Sequence, residues 1–467
     1  MSPSIPALTP SGAGHHFVCY ADSCSGVAGA LHEQTFASVN AVVARLEPLP
    51  QFLCFPGDEI IGLTTDDAEL RQQWHHWFTH EMAWLDRATI PLYHTTGNHT
   101  VYDPASEAIF REMMAHLPRN GPPGQEGLSY FVRRDDLLLV FVNTLWSGLG
   151  GEGYVETTWL DQTLADHADA RYKFVFGHHP VFPVNGFSGA RQRELEKRCG
   201  QTFWHILVQH GVLAYWCSHI LAFDVQVHDG VLQILTAGAG TAHRMPAEQE
   251  YLHCVQAAVD ADGLRYQVLD TEGQRREWLQ WPIPLPPSNH WQVLPQGESA
   301  ALFQAANQPE SAADLFVWRF QGHATADEDG SPQTLLSAWN RDSVFTSLWI
   351  GLIGCEQRLG ILLSPQAGRS PHLWTGPALT ADEPFLLEVA LHTGMGPGGL
   401  LWRWDDESPW SSLRGASAWG VERLTWPAHW SVGQGKRGPT DRPFRGQRLR
   451  VTWHHEPQYW QNPILSV

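Results

Sequence analysis

The sequence predicts a mixed α/β domain, with two sheets and helices outside them, followed by an all-β sandwich. Apolar, β-rich runs alternate with stretches of helical period up to about residue 272. The run Trp281-Pro282-Ile283-Pro284-Leu285-Pro286-Pro287 then excludes a helix or a central strand. Beyond it helical periodicity nearly vanishes, and short Trp-, Leu- and Val-rich runs alternate with Gly, Pro and Ser. A length of 467 residues also exceeds one ordinary core. The expected division is an N-terminal tail over 1–15, the α/β domain over 16–272, a stiff Pro/Trp-rich linker over 273–291, and the β domain over 292–467.

In chain order, Phe17 to Ala21 reads as a strand ending at Asp22. From His32 to Leu46 the apolar residues Phe36, Val39, Val43 and Leu46 recur at helical spacing. A strand from Phe52 to Phe55 leads to Gly57-Asp58, a Trp-rich helix is expected from Asp67 to Leu85, and a strand from Ile90 to His94 leads to Gly97-Asn98-His99. Tyr130 to Val132 and Leu137 to Val142 flank the turn-like Arg134-Asp135-Asp136 and predict a hairpin. A helix from Thr157 to Ala168 precedes the strand Lys173 to Phe176, which feeds Gly177-His178-His179-Pro180. After a long helix from Arg191 to His210, a strand from Val212 to Trp216 leads to Ser218-His219. Asp229-Gly230 between alternating runs is a strong hairpin signal, and the runs Cys254 to Val259 and Leu264 to Val268 close the domain. In the β domain the expected strands are Leu315 to Phe320, Phe345 to Ile353, Leu386 to Leu391, Gly399 to Trp404 and Arg448 to Trp453.

Composition narrows the function. A net charge of −19 argues against a nucleic-acid backbone as partner, because Lys and Arg are what neutralise phosphates, and it leaves small phosphoesters open. Seven cysteines without regular spacing make no disulfide framework and point to a reducing compartment. The start Met1-Ser2-Pro3-Ser4-Ile5-Pro6 has neither a basic nor an apolar signal region, and no apolar stretch is long enough to span a bilayer. The expectation is a cytoplasmic protein without a membrane partner.

Five polar groups, at Asp22, Asp58, Asn98-His99, His178 and His219, each follow an apolar run, which is where α/β folds keep their chemistry. Together they suggest one metal site. Hydrolysis of a phosphoester near neutral pH needs a strong nucleophile and something to absorb charge on the phosphoryl oxygens. Two cations ~3.5–4 Å apart can supply both, lowering the pKa of a bound water towards roughly 7. Asp58 is the candidate bridging carboxylate.

The order Asp22, Gly57-Asp58, Gly97-Asn98-His99, Gly177-His178-His179-Pro180, Ser218-His219 and Gly238-Ala239-Gly240 resembles the calcineurin-like metallophosphoesterase superfamily, which includes the purple acid phosphatases. The resemblance covers residues from about 16 to 270. It implies a four-layer αββα sandwich and a hydrolase of phosphate esters, with phosphodiesters and phosphomonoesters both fitting. Carried over position by position, it implies that Asp58, Asn98, His178 and His219 hold one metal, that Asp22 and Asp58 face a second, and that His99 and Asp58 are the catalytic pair. His99 would sit beside the leaving group. His179 would face substrate or pack against its loop. The donor mixture suits Zn, Mn or Fe without selecting among them.

The departures concern the second metal. Cys24 stands where the family's first motif has a histidine, Leu221 ends its last motif, and Ile61 replaces the tyrosine of the purple acid phosphatases. One tight site and a degenerate second are therefore expected. Cys24 is the candidate further ligand of the second, with a buried small residue as the plainer reading. Asp224 is a candidate replacement carboxylate or a turn residue. Two other functions remain open: hydrolysis of another ester such as a sulfate, and a non-catalytic member that binds a ligand or partner.

In the second domain Trp430-Ser431-Val432-Gly433, Arg442-Pro443-Phe444-Arg445-Gly446 and the strand Arg448 to Trp453 resemble the end of a concanavalin-like, laminin-G-type jelly roll. That likeness implies carbohydrate as a candidate partner beside the small-molecule ester. Trp402, Trp410 and Trp419 are either an aromatic platform or core.

Overall fold

Strands covered on both faces need no polar alternation, and in the computed structural model all five residues of His15–Cys19 and of Leu137–Phe141 are buried. Two six-stranded sheets form the first unit. One has the order Phe223–His228, Val231–Thr236, Ala214–Cys217, Tyr172–Phe176, Leu137–Phe141, Tyr130–Arg134, and the other has Arg275–Trp281, Gly263–Asp270, His253–Asp260, His15–Cys19, Leu53–Phe55, Leu92–His94. Rings join the sheets. Phe17 lies 5.6 Å from Phe174 and 5.4 Å from Trp216, and Tyr93 lies 5.6 Å from Phe141.

The strands that carry the motifs are parallel within each sheet. Parallel neighbours need a crossover, which returns every carboxyl end to the same side. Asp22 therefore shares an edge with Asp58 and Asn98, as His178 does with His219.

The helix Leu31–Val43 buries Phe36, Val39, Val42 and Val43. The helix expected over 67–85 is α-helical only over Asp67–His76, and Trp77–Glu81 continues as a π-helical turn. The helix expected from Arg191 begins at Lys197 because Glu196 caps it, accepting from the N–H groups of Arg198 and Cys199; residues 187–192 lie outside the described residues. A helix the pattern reading passed over, Pro104–Met113, starts at an Asp103 capping box with Pro at its first position.

The structure describes residues 4–186, 193–241, 251–285, 290–295, 297–300, 313–325, 329–339, 348–363, 372–392, 395, 399–415, 429–438 and 440–458. They divide into two compact units with the main change at Pro284–Leu285. Arg275–Trp281 falls in the stretch expected as linker, yet it pairs as an edge strand with Gly263–Asp270. No proline falls within Arg275–Trp281, and Trp278, Leu279 and Trp281 find a face to bury.

The second unit holds two antiparallel sheets of six and seven strands. Phe316, Trp318 and Phe320 of one share an apolar core with Leu336, Ile350 and Ile361 of the other. The expected strands appear as Ala313–His323, Leu348–Ile353, Pro384–His392, Leu400–Arg403 and Gln447–Gln458, while residues 340–347 lie outside the described residues. Gln333–Trp339, Arg358–Leu363 and His372–Ala378 also belong to the larger sheet and were not anticipated. Trp402 packs against this core and Trp410 is buried under the Arg403 guanidinium, the packing use foreseen for them; Trp419 lies outside the described residues.

Candidate metal centre

Four of the motif residues turn sharply after their strands. Asp22, Cys24, Asp58 and His219 all have φ between 40° and 71°, the left-handed region that non-glycine residues rarely adopt. Such backbone clusters at functional sites because the surrounding structure must hold it there. Here the hold is visible: Asp22 N donates to Gly57 O at 3.2 Å and Cys24 N to Asp58 O at 2.8 Å. Gly97 is required by a close approach, since a Cβ there would run into the Asp58 carboxylate.

His178 is the hub. Its Nε2 lies 3.2 Å from Asp58 Oδ2, 3.1 Å from Asn98 Oδ1 and 3.1 Å from His219 Nδ1. Its Nδ1 donates to Pro56 O at 2.9 Å, which orients the ring so that Nε2 faces these three groups. Ser218 Oγ donates to the same carbonyl at 2.5 Å. A proton on Nε2 could satisfy only one of three neighbours, two of which are oxygens that only accept. A metal ion bound at about 2.0–2.2 Å to each ligand would separate them by roughly 2.9–3.5 Å, and the observed spacing falls in that range. Asp58, His178 and His219 are one of the groups able to hold a metal.

Charge at the site follows from burial. Burial pushes the Asp22 carboxyl up to about 7, against the pull of His178 and with Asp58 adding to the push. At Asp58 burial works the same way, but the His178 charge and hydrogen bond win and hold the carboxyl well below its usual range. Burial alone would depress His178; the facing Asp58 instead carries it up to about 9. His219 is held well below its ordinary value, chiefly by burial.

His99 is only partly buried. Its backbone N–H donates to Asp58 Oδ1 at 2.9 Å, and its Nδ1 donates to Ile61 O at 2.7 Å, leaving Nε2 for other chemistry. Cys24 reaches the same neighbourhood, its sulfur grouping with Asp58 and His99. Burial pushes its thiol well above the ordinary range, and Asp58 and Asp22 add to that. Asp22 accepts from His219 N at 3.2 Å.

His179 is buried against its loop, with Nδ1 2.8 Å from Thr144 Oγ1 and Nε2 3.2 Å from Glu152 Oε1. Burial brings it down to about 4. Glu152 was missed by sequence reading; the signal was its loop Gly150-Gly151-Glu152-Gly153, which follows the strand Leu137–Phe141. Arg193 also donates to Glu152, at 2.8 Å. Asp224 is buried on the strand Phe223–His228 and joins none of the metal-capable groups among the described residues. His94 forms a buried pair with Glu59 at 2.7 Å beside the bridging candidate.

No protein-family model matches the sequence, and no curated protein matches it. Solved structures do. A purple acid phosphatase from yellow lupin (Lupinus luteus) is 13% identical, with a TM-score of 0.44, over 57% of this chain and 53% of its own. This chain thus spans about half the length of that phosphatase. GAP50 of Plasmodium, the anchor in the inner membrane complex, is 13% identical with a TM-score of 0.40, over 59% of this chain and 90% of its own. A sialidase CBM40 from Ruminococcus gnavus, bound to α2,6-sialyllactose, is 15% identical with a TM-score of 0.23, over 32% of this chain and 79% of its own. Among the described residues no helix is long and apolar enough to cross a membrane.

Proposed function

We propose that this chain is a metal-dependent hydrolase of phosphate esters, with one complete metal site at Asp58, Asn98, His178 and His219 and a degenerate second position beside Asp22 and Cys24. The observation that carries it is the meeting of a carboxylate oxygen, an amide oxygen and the His219 imidazole nitrogen at 3.1–3.2 Å around His178 Nε2. That donor set fits Zn, Mn or Fe. A bound cation supplies Lewis acidity towards phosphoryl oxygens and a water acidified towards neutrality.

The chain's own residues do the rest. Pro56 O and Ser218 orient His178, and Gly57 and Asp58 tie down the loop that carries Asp22 and Cys24. His99, with its Nδ1 proton committed to Ile61 O, offers Nε2 to the leaving-group oxygen, to which the protonated ring would give its Nε2 proton. In this reading the first unit is a four-layer αββα sandwich and the second a jelly roll. A carbohydrate partner would suit the cleft where Phe385 and Trp404 lie near Glu383 and Asp405.

The test is elemental analysis of the purified protein together with nitrophenyl phosphate monoester, diester and sulfate substrates. We expect one tight metal at the Asp58 group, turnover of a phosphate ester, and a metal count unchanged by Cys24→Ser. Loss of a metal equivalent in Cys24→Ser would make Cys24 a true ligand. Turnover of the sulfate alone would move the reading to a sulfate ester hydrolase. A metal-replete protein inert on every ester would overturn catalysis and favour a binding role.

A further inference from the structure

Three side chains outside the Asp58 group bring ligating atoms together at the junction of two helical segments. Glu33 sits in the first turn of the helix Leu31–Val43. His76 and His80 stand four residues apart where Asp67–His76 passes into the π-helical turn Trp77–Glu81. Departures from α-helical winding of this kind are frequent at functional sites. Glu33 Oε1 lies 2.7 Å from His76 Nε2 and 3.4 Å from His80 Nε2, and the three ligating atoms are all within 4.8 Å of one another.

An ion pair alone explains this group poorly. One carboxylate oxygen faces two imidazoles whose centroids are 4.7 Å apart, so protonating both rings would set two like charges side by side. One divalent cation satisfies all three at once. The carboxylate is also fixed from behind: Gly29 N donates to Glu33 Oε2 at 2.6 Å, the kind of outer contact that orients metal ligands. That bond, followed by the one to His76, holds the Glu33 carboxyl below its usual value. Side-chain exposures of 18% for Glu33, 21% for His76 and 68% for His80 give an ion a route in from solvent.

We propose that Glu33, His76 and His80 bind a divalent transition cation of the zinc class. Two imidazoles and a carboxylate make a three-ligand zinc set with a further position left for water. The site shares no residue with Asp22, Asp58, Asn98, His178 or His219 and does not rest on the phosphoester reading. It has one path towards that centre. Glu81 Oε1 lies 4.0 Å from His76 Nε2, and the Glu81 carboxylate accepts from Ser25 Oγ and, at 3.0 Å, from Gly26 N, in the loop that follows Cys24.

The experiment titrates tag-free full-length protein with Zn²⁺ and with Co²⁺, counting equivalents by elemental analysis after gel filtration and by calorimetry, with the Co²⁺ visible spectrum reporting coordination. Native protein is expected to take one equivalent more than His80→Ala, and Asp58→Ala to keep that equivalent while losing the other. His80 is mostly exposed, so its removal leaves the fold intact, as circular dichroism will check. Glu33→Gln keeps the shape and is expected to weaken the same equivalent by about 10–100-fold. Equal stoichiometry and affinity in the native protein, His80→Ala and Glu33→Gln would overturn the proposal. So would a Co²⁺ spectrum unchanged by either substitution. Failure of the Asp58 group alone to bind metal would sink the proposed hydrolase site and leave this one standing.

Discussion

In the second unit Glu388 is wholly buried between two arginines, with Arg319 Nε donating to one carboxylate oxygen at 2.6 Å and Arg403 Nε to the other at 2.5 Å. In the first unit Asp22 and Asp58 are also buried, yet Asp58 faces the His178 imidazole and the His99 backbone N–H, and Asp22 has Asp58 itself for a neighbour. Taking a carboxylate out of water costs several kcal/mol unless it is paired. The β sandwich meets that cost with guanidinium groups that never lose their charge. The α/β unit meets it with groups of the kind able to ligate a metal, held in left-handed backbone at Asp22, Asp58 and His219. One arrangement closes a core, and the other keeps its donor atoms available for chemistry.

The sharpest way to break that contrast is Asp58→Ala. We expect loss of the tight metal and a fall in ester turnover to background, read by elemental analysis and initial rates. An active, metal-loaded variant would mean that the centre lies elsewhere. Next comes His99→Asn, expected to lower turnover by roughly 10²–10⁴-fold with metal content unchanged, because its ring bonds to Ile61 O and does not belong to the donor set around His178. Parallel loss of metal and rate would make His99 a ligand.

On the other side of the comparison, Glu388→Ala takes the buried carboxylate from two largely buried guanidinium groups, leaving Arg319 the exposed Asp406 carboxylate at 3.7 Å and Arg403 the Asp406 carbonyl at 3.0 Å, and should cost about 3–5 kcal/mol in urea unfolding. Replacing Arg319, Glu388 and Arg403 together by methionine should recover most of it. A neutral Glu388→Ala would show that water already reaches the triad.

The smallest expected effect concerns pH. His253 is buried, bonded to Tyr251 O at 2.7 Å and Thr236 Oγ1 at 3.1 Å, and burial brings it down to about 4. Unfolded chains take up that proton below the ordinary value of 6.5, and the folded protein does so only near 4. Its contribution is therefore present above pH 6.5 and lost as pH falls through that window, by up to about 3 kcal/mol. His253→Gln should flatten the loss of stability between pH 7 and pH 4, and equal slopes in the two proteins would refute the assignment.

Sequence alone determined the parts that local chemistry controls. Apolar runs marked the central strands, and the Asp229-Gly230 and Arg134-Asp135-Asp136 turns marked hairpins because turn residues act within a few positions. Asp22, Asp58, Asn98, His178 and His219 were legible for the same reason, each following a run that had to be a strand. Short strands such as Arg358–Leu363 were not, since a few residues carry too little pattern, and Gln333–Trp339 is buried throughout and shows no alternation. Which atoms of the motif residues meet was decided only in three dimensions. The orientation of the His178 ring depends on Pro56 O, 122 residues away in sequence, and the Glu152 contact with His179 spans 27. The Glu33 group needed both a tertiary approach of two helices and a change of winding at Trp77–Glu81. Burial set the charges as well: a carboxyl has its ordinary acidity in any sequence, and only desolvation and its neighbours carry Asp22 to about 7 and Asp58 the other way.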